Sequence, residues 1–276
     1  MTRSKAVGVF DSGFGGLAIL KEIQKKLPQY NYVYLGDTAR TPYGTRSRET
    51  VYEFTKQAVD FLFAHNCGLI IFACNTASAE ALRKIQKEYL PKHYPGKRVL
   101  GVIVPALEEA ERHTKNHRIG VIATEGTVAS NAFVSEFKKR DPQARIFQQA
   151  CPLLVPLVEA GEHKTPVAKL ILRKYLDAFH NKNIDTLILG CTHYGHLEKE
   201  ISTMMGKRVK VISEGPVVAE KLKEYLVQHQ EIESTLARNK KTIFYSTDLG
   251  DRFKKLGKLF FGRSVDPLLA QLETSK

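Results

Sequence analysis

The chain has 276 residues, of which 43% are hydrophobic and 26% charged, which is ordinary for a globular protein and enough for one large α/β domain or two smaller ones. No apolar run approaches the roughly 20 residues that span a bilayer, and the first residues lack the apolar core of a signal peptide, so we expect a cytoplasmic protein without a membrane partner. The net charge of +13 predicts an anionic partner. Because the basic residues are dispersed and form no nucleic-acid-binding signature, a small anionic substrate is expected rather than DNA or RNA.

Taken in chain order, nine short apolar runs predict β-strands and alternate with amphipathic, helical patterns. In one such pattern Val51, Phe54 and Ala58 follow at steps of three and four residues, and Leu82 and Ile85 belong to another. This alternation predicts parallel sheets with crossover helices, and the continuous apolar strands predict that both faces of each sheet are covered. The predicted strands are Val7–Phe10, Tyr32–Leu35, Leu69–Ala73, Val99–Val104, Ile119–Ala123, Ile146–Gln149, Thr186–Leu189, Val209–Ile212 and Ile243–Tyr245.

Three segments from the first part of the sequence recur, in the same order, in its middle part. Any one match is weak, but three in order predict two related α/β halves. The part after Ser213 has no third copy and is expected to return and complete the first half. The predicted domains are therefore residues 1–100 plus 214–276 and residues 101–213. The matching pairs are Val7–Gly13 with Ile119–Gly126, Phe72–Thr76 with Leu189–His193, and Gly96–Val99 with Gly206–Val209.

The four cysteines are scattered and contain no C-x-x-C pair, so no disulfide framework is expected. Cys74 and Cys191 each end an apolar strand and precede a helical pattern, at equivalent positions of the two halves. Ligands bind at this edge of open α/β sheets, and the positive end of a helix favours thiolate. Either cysteine alone would be interpreted as core, as Cys67 and Cys151 are. As a pair they predict a base on one face of a ligand and an acid on the other, which is what inverting a stereocentre requires. A zinc site on Cys191 and His193 lacks a second close pair of ligands, so no metal is expected.

A glycine-rich turn, Asp11–Ala18, follows the first strand and has two interpretations. Gly13–Ala18 matches the relaxed dinucleotide-binding fingerprint, with Asp37 ending the second strand farther on, and would make the chain an NAD-dependent oxidoreductase. Alternatively, the turn exposes backbone N–H groups and the Asp11 and Ser12 side chains to a small ligand. The fingerprint alone is weak and leaves the paired cysteines without a role.

Together these motifs resemble those of the glutamate racemase family, in the cofactor-independent aspartate/glutamate racemase superfamily, over residues 7–195. The resemblance implies two pseudo-symmetric α/β domains with mainly parallel sheets and an active site in the cleft between them. It also implies interconversion of L- and D-glutamate without pyridoxal phosphate, any other cofactor or metal, to supply D-glutamate for peptidoglycan. Aspartate stays open as an alternative substrate, and a homodimer as an alternative to a monomer. The motifs that carry the resemblance are Asp11–Gly13 with the glycines after it, Pro42–Gly44, Cys74–Thr76, Thr124, Glu159 and Cys191–Tyr194.

The resemblance further implies roles for individual residues. Cys74 would deprotonate the D-enantiomer with the assistance of Asp11. Cys191 would deprotonate the L-enantiomer with the assistance of His193, and Glu159 would support this second cysteine. The residues expected to bind the substrate are Asp11, Ser12, Pro42, Tyr43, Gly44, Cys74, Asn75, Thr76, Thr124, Cys191, Thr192 and His193.

Two places depart from the family's usual pattern. Gly195-His196 stands where the family usually has a proline after the tyrosine of its second cysteine motif. Ser213-Glu214 stands where an Asp-Ser pair is more usual. Neither departure changes the two cysteine positions themselves.

Overall fold

A computed structural model of the protein describes residues 4–272, which fold into two parallel β-sheets with helices on both faces. The nine predicted strands are all present, and a tenth, very short strand follows them. The strands are β1 (Ala6–Asp11), β2 (Tyr32–Gly36), β3 (Cys67–Phe72), β4 (Arg98–Gly101), β5 (Arg118–Ala123), β6 (Arg145–Ala150), β7 (Thr186–Gly190), β8 (Lys210–Ile212), β9 (Thr242–Ser246) and β10 (Leu268–Leu269).

Helices connect these strands, and several of the connections are broken into short pieces. A π-helical turn, Ile85–Tyr89, lies between α4 and α5, and 3-10 turns lie at Tyr43–Thr45, Asp177–Phe179 and Tyr194–Leu197. The α-helices are α1 (Gly16–Lys26), α2 (Arg48–Ala64), α3 (Asn75–Glu80), α4 (Leu82–Lys84), α5 (Leu90–His93), α6 (Ile103–His113), α7 (Glu125–Ala129), α8 (Ala132–Arg140), α9 (Leu154–Glu159), α10 (Pro166–Leu176), α11 (Glu198–Met205), α12 (Glu214–Gln228), α13 (Gln230–Glu233) and α14 (Asp251–Phe261).

The strand order confirms the predicted relation between the two halves. The first sheet has the order β10-β9-β2-β1-β3-β4 and the second has the order β6-β5-β7-β8, and all neighbouring strands are parallel. The run β2-β1-β3-β4 therefore has its counterpart in β6-β5-β7-β8. In each half the third strand, β3 or β7, is followed by a cysteine.

The C-terminal part of the chain returns to the first sheet. Strand β9 pairs with β2 over its whole length, from Tyr32↔Thr242 to Gly36↔Ser246, and β10 pairs with β9. Helix α12 packs against α1, and α14 packs against α1 as well. The domain boundaries at residues 100 and 213 stay a prediction.

Two strand boundaries in the structure differ from those that the sequence predicts. The apolar run Val99–Val104 was predicted as one strand, but β4 ends at Gly101 and α6 begins at Ile103. A short apolar run cannot by itself distinguish a buried strand from the first turn of a buried helix. Cys67 was expected before its strand and is instead the first residue of β3.

Alternating residues of the strands form one packed layer on each side of the first sheet. In β1, Val7 and Val9 belong to a core that continues into the second half, whereas Ala6 and Phe10 belong to a core on the opposite face. Cys67 and Cys151 are fully buried in these cores, as predicted. Of the helices described between residues 4 and 272, none combines the length and apolar composition that crossing a membrane requires.

Candidate active site

The predicted site residues lie at the carboxyl edges of the two sheets. Asp11 is the last residue of β1, and Cys74 comes shortly after Phe72, the last residue of β3. In the second half Thr124 directly follows β5, and Cys191 directly follows β7. Because all the strands of a sheet are parallel, the loops after them leave from the same edge.

Loops from the two halves are in direct contact at this edge. Gly15 lies so close to Thr192 and His193 that a Cβ on it would be 2.1 Å from the Thr192 hydroxyl oxygen. The hydroxyl oxygens of Thr76 and Thr124, one from each half, are 3.0 Å apart and share a hydrogen bond. The two sheet edges therefore form one site.

Cys74 is the N-cap residue of α3. Its sulfur accepts a hydrogen bond from the N–H of Ala77 at 3.4 Å, and its thiol donates to the Ser12 hydroxyl oxygen at 3.2 Å. Burial, and after it the charge of Asp11, raise the pKa of the Cys74 thiol to about 11. Hydrogen bonds that the Ser12 hydroxyl and the Ala77 N–H can donate to the thiolate lower the pKa of Cys74, but burial outweighs them.

Cys191 has an imidazole beside it instead of a hydroxyl. Its sulfur is 3.7 Å from Nδ1 of His193, whose Nε2 is 3.0 Å from Oε1 of Glu159. A carboxylate only accepts hydrogen bonds, so Glu159 keeps the proton on Nε2 and leaves Nδ1 as an acceptor facing the sulfur. Arg252 donates to Oε2 of the same carboxylate at 2.5 Å. Burial opposes ionisation of Glu159, but His193 and Arg252 outweigh it and lower its pKa.

Both thiols are held in their neutral form, which contradicts the expectation that their place before a helix favours thiolate. Burial is the main cause for Cys191 too, and the charges of Cys74, Asp11 and Glu214 add to it, so the pKa of Cys191 lies well above its usual value. Removing water from around a sulfur outweighs the field of a helix end.

Asp11 is a buried carboxyl near both thiols. Its Oδ2 accepts a hydrogen bond from the N–H of Gly13 at 2.9 Å, and the side chain is 1% exposed. Burial raises the pKa of Asp11, and the charge of His193 acts against this. A raised pKa makes a carboxylate a better proton acceptor for a neighbouring thiol.

The loop after β2 reaches the second half, but its side chains do not all face the site. A Cβ on Gly44 would be 2.8 Å from the Cβ of Thr124, so backbone and threonine pack closely there. Tyr43 is buried, and its hydroxyl donates to the carboxylate of Asp37. Pro42 is exposed. Any ligand contact from Tyr43 must therefore come from its backbone or its ring, because its hydroxyl is already used.

Glu214 is a buried carboxyl that motif reasoning did not place in the site. Its Oε2 accepts a hydrogen bond from Nδ2 of Asn75 at 2.7 Å. Its Oε1 and the Oδ1 of Asn75 are buried with no hydrogen-bond partner in the described part of the chain. Burial raises the pKa of Glu214 to about 8. The only signal in the sequence was the unusual Ser213-Glu214 pair.

The dinucleotide interpretation of the glycine-rich turn is not supported by these contacts. Thr192 and His193 fill the space beside Gly15 that a cofactor phosphate would need. Asp37 is fully buried, and its carboxylate is bound by the side chain of Arg40 at 2.7 Å. Neither the turn nor the acidic residue is free to bind a nicotinamide cofactor.

One cavity borders the second thiol. A cavity of about 230 Å³ borders Cys191, Thr192 and Glu214. A larger cavity of about 700 Å³ lies among α3, α4, α6, α8 and α12 and contains neither thiol. Within residues 4–272, no three His, Cys, Asp or Glu side chains are grouped as a metal site would require.

The fold and the candidate site define a class of protein with two parallel-sheet α/β halves and one buried thiol after an equivalent strand of each half. Comparison with known proteins narrows the class. The model of the Asp/Glu/hydantoin racemase family matches residues 17–222. The chain belongs to this family, which makes it an isomerase of the amino-acid racemase type.

Individual relatives are similar over nearly their whole length. A glutamate racemase of Geobacter metallireducens is 40% identical over 99% of this chain and 98% of its own. A glutamate racemase of Chlorobaculum parvum is 40% identical over 94% of this chain and 93% of its own. The crystal structure of glutamate racemase from Francisella tularensis in complex with D-glutamate has a TM-score of 0.89 and 33% identity, covering 98% of this chain and 99% of that one.

Proposed function

We propose that the protein interconverts L- and D-glutamate by proton transfer between two thiols, without a cofactor. The observation that supports the proposal is that Cys74 and Cys191 follow equivalent strands of two halves whose loops are in contact, with the imidazole of His193 beside Cys191 and the Asp11 carboxyl buried in the same region. The names of the relatives support glutamate as the substrate. The D-glutamate formed would supply peptidoglycan synthesis.

The reaction needs one thiolate and one thiol. In the L-to-D direction the Cys191 thiolate removes the α-proton and becomes a thiol, and the Cys74 thiol protonates the opposite face of the carbanion and becomes a thiolate. In the reverse direction the roles are exchanged. The enzyme therefore alternates between two protonation states, and each turnover in one direction leaves it ready for the other.

Each thiol needs a group that takes its proton, because burial keeps both neutral. For Cys191 that group is Nδ1 of His193, which becomes an imidazolium held by Glu159. For Cys74 it is Asp11, whose raised pKa suits it to hold a proton. A bound amino acid brings its own ammonium group into the site, and a positive charge close to a sulfur favours the thiolate.

The substrate's carboxylates and ammonium group would be held by hydroxyl, amide and backbone groups around the thiols. The hydrogen bond between Thr76 and Thr124 and the contact of Gly15 with Thr192 support a ligand held by both halves at once. The proposed binding residues are Asp11, Ser12, Tyr43, Gly44, Asn75, Thr76, Thr124, Thr192 and His193, with Pro42 at the edge of the loop.

Incubating the purified protein with L-glutamate in D₂O, with no added cofactor, tests the proposal. We expect the optical rotation to fall to zero while deuterium appears at the α-carbon. Retention of optical activity, with or without added NAD, would contradict it. A parallel incubation with L-aspartate separates the two substrates, since preferential turnover of aspartate would retain the mechanism and change the substrate.

A further inference from the structure

Helix α14, near the C-terminus, contacts the residues that surround Cys191. The guanidinium of Arg252 donates to Oε2 of Glu159 at 2.5 Å, and the ring of Phe260 meets the imidazole of His193 edge-on with centroids 4.9 Å apart. The Arg252 guanidinium also lies 5.8 Å from the centroid of Phe14, in the glycine-rich turn of the first half. The helix therefore connects both halves at the second thiol.

These contacts form a continuous chain that ends at the reacting sulfur. From the outside inward it runs from Arg252 to Glu159, then through Oε1 of Glu159 to His193 at 3.0 Å, and from His193 to the Cys191 sulfur at 3.7 Å. The Glu159 and His193 side chains are 8% and 9% exposed, whereas Arg252 is 63% exposed. Only the outermost member of the chain is in contact with bulk water.

Arg252 fixes the orientation and the charge of the Glu159 carboxylate. With both carboxylate oxygens in use, Glu159 has one orientation and stays ionised, so it can hold the proton of His193 on Nε2. Without Arg252 the buried Glu159 carboxylate would keep only His193 as a partner. Rotation or protonation of this carboxylate would then release the His193 imidazole. His193 could then present the wrong nitrogen to Cys191.

We infer that Arg252 is a positioning residue that keeps Glu159 and His193 aligned so that Cys191 can exchange its proton. The inference rests on the proposed function and adds a residue from outside every motif of the family resemblance. Because Arg252 is exposed, the ion pair contributes little to the stability of the fold. Its effect is expected on the reaction of one thiol and not on folding.

The experiment compares R252Q, R252K and a control, K254Q, in racemisation assays. Lys254 is exposed on the same helix and takes part in no ion pair within the described residues, so K254Q removes an equal charge without touching the chain of contacts. We expect R252Q to lower kcat by roughly five- to tenfold, the effect of one charge-assisted hydrogen bond weakened by the exposure of Arg252 to solvent. R252K should recover part of the loss, and K254Q should match the unmodified protein.

Isotope effects then identify the affected thiol. The equilibrium constant of a racemisation is unity, so kcat/KM must stay equal in the two directions for every variant. A difference between the two thiols therefore cannot be detected in kcat/KM itself and is measured by its isotope effect. If Cys191 is impaired, proton removal from L-glutamate limits the rate. The primary deuterium isotope effect on kcat/KM should then rise with α-deuterated L-glutamate and fall with α-deuterated D-glutamate. Equal changes for both enantiomers would overturn the inference.

A double variant separates alignment from a general loss of structure. If Arg252 acts through Glu159, adding R252Q to E159Q should have little further effect on kcat. Additive losses, or a K254Q variant as slow as R252Q, would contradict the inference. Absence of racemisation in the unmodified protein would instead contradict the proposed function, so the two failures are distinguishable.

Discussion

The two thiols occupy equivalent positions in the repeated strand order, but their surroundings differ. Cys74 caps a helix and is bonded to a hydroxyl, with a buried carboxyl nearby. Cys191 precedes a 3-10 turn, and its sulfur is followed by a series of contacts through the imidazole of His193 and the carboxylate of Glu159 to the guanidinium of Arg252. The repeat thus fixes where the sulfurs are in the chain, whereas different side chains surround each sulfur.

This difference has a chemical reason. In the proposed mechanism Asp11 would accept a proton as a buried carboxylate and become neutral, whereas His193 would accept one as a neutral imidazole and become a cation that Glu159 stabilises. The two thiols can therefore be impaired separately. The predictions below use this separation.

The largest expected effect follows from removing either sulfur. C74S and C191S should each lower racemisation by roughly 10³-fold or more, because a hydroxyl is far less acidic than a thiol and acid–base catalysis is lost on one face. The optical rotation of glutamate over time measures it. C151A is the matched control, since Cys151 is a buried cysteine outside the site, and it should keep its activity. Near-normal turnover in either serine variant would contradict the two-thiol mechanism.

Next in size is the loss of the proton acceptor of each thiol. D11N and H193N should each lower kcat by roughly 10²-fold. The two variants should have opposite isotope signatures: the deuterium isotope effect should rise with D-glutamate for D11N and with L-glutamate for H193N. The same signature in both variants would mean that the two halves of the site are not separable.

A smaller effect concerns stability and the carboxyl of Glu214. Its pKa in the folded protein, about 8, exceeds the ordinary value of 4.5, so the folded state keeps a proton that the unfolded state releases between these values. Stability should therefore fall as pH rises through this window, by at most about 1.4 kcal/mol per pH unit. E214Q should not share this fall. Melting temperatures from pH 5 to pH 8 measure it, with the exposed E162Q as a control that should follow the unmodified protein.

The smallest expected effect is on the reactivity of one thiol. The Ser12 hydroxyl lies 3.2 Å from the Cys74 sulfur and can turn to donate to the thiolate, which lowers the pKa of Cys74, so S12A should raise that pKa further. Alkylation of Cys74 by iodoacetamide at a fixed pH should then slow by roughly two- to fivefold. Peptide mass spectrometry gives the rate at each cysteine separately. Cys191 is the internal control, and an equal change at both thiols would contradict a local role for Ser12.

Much of the fold and of the candidate site could be predicted because the repeat places residues at fixed positions on parallel strands. The ends of β1, β3, β5 and β7 carry Asp11, Cys74, Thr124 and Cys191, and the sheet order brings them to one edge. The run Val99–Val104 was assigned wrongly because apolar residues suit both a buried strand and the first turn of α6.

The residues that were missed come from elements far away in the sequence. Glu214 reaches Asn75 from α12, and Arg252 reaches Glu159 from α14. No local pattern marks Arg252, and only the unusual Ser213-Glu214 pair marks Glu214, because the contacts of both residues depend on tertiary packing. Thiol ionisation was also mispredicted, since the degree of burial of Cys74 and Cys191 becomes known only from the packed structure.

The return of the C-terminal segment to the first sheet has a consequence for synthesis of the chain. Both cysteines leave the ribosome well before α12 and α14, so a nascent chain that ends at Ile212 contains the two sulfurs but neither Glu214 nor Arg252. Strand β9, which pairs with β2 in the first sheet, is also still missing. The site is therefore completed by segments that are made after both cysteines, and chains that stop before α12 would carry the two thiols without Glu214 and Arg252.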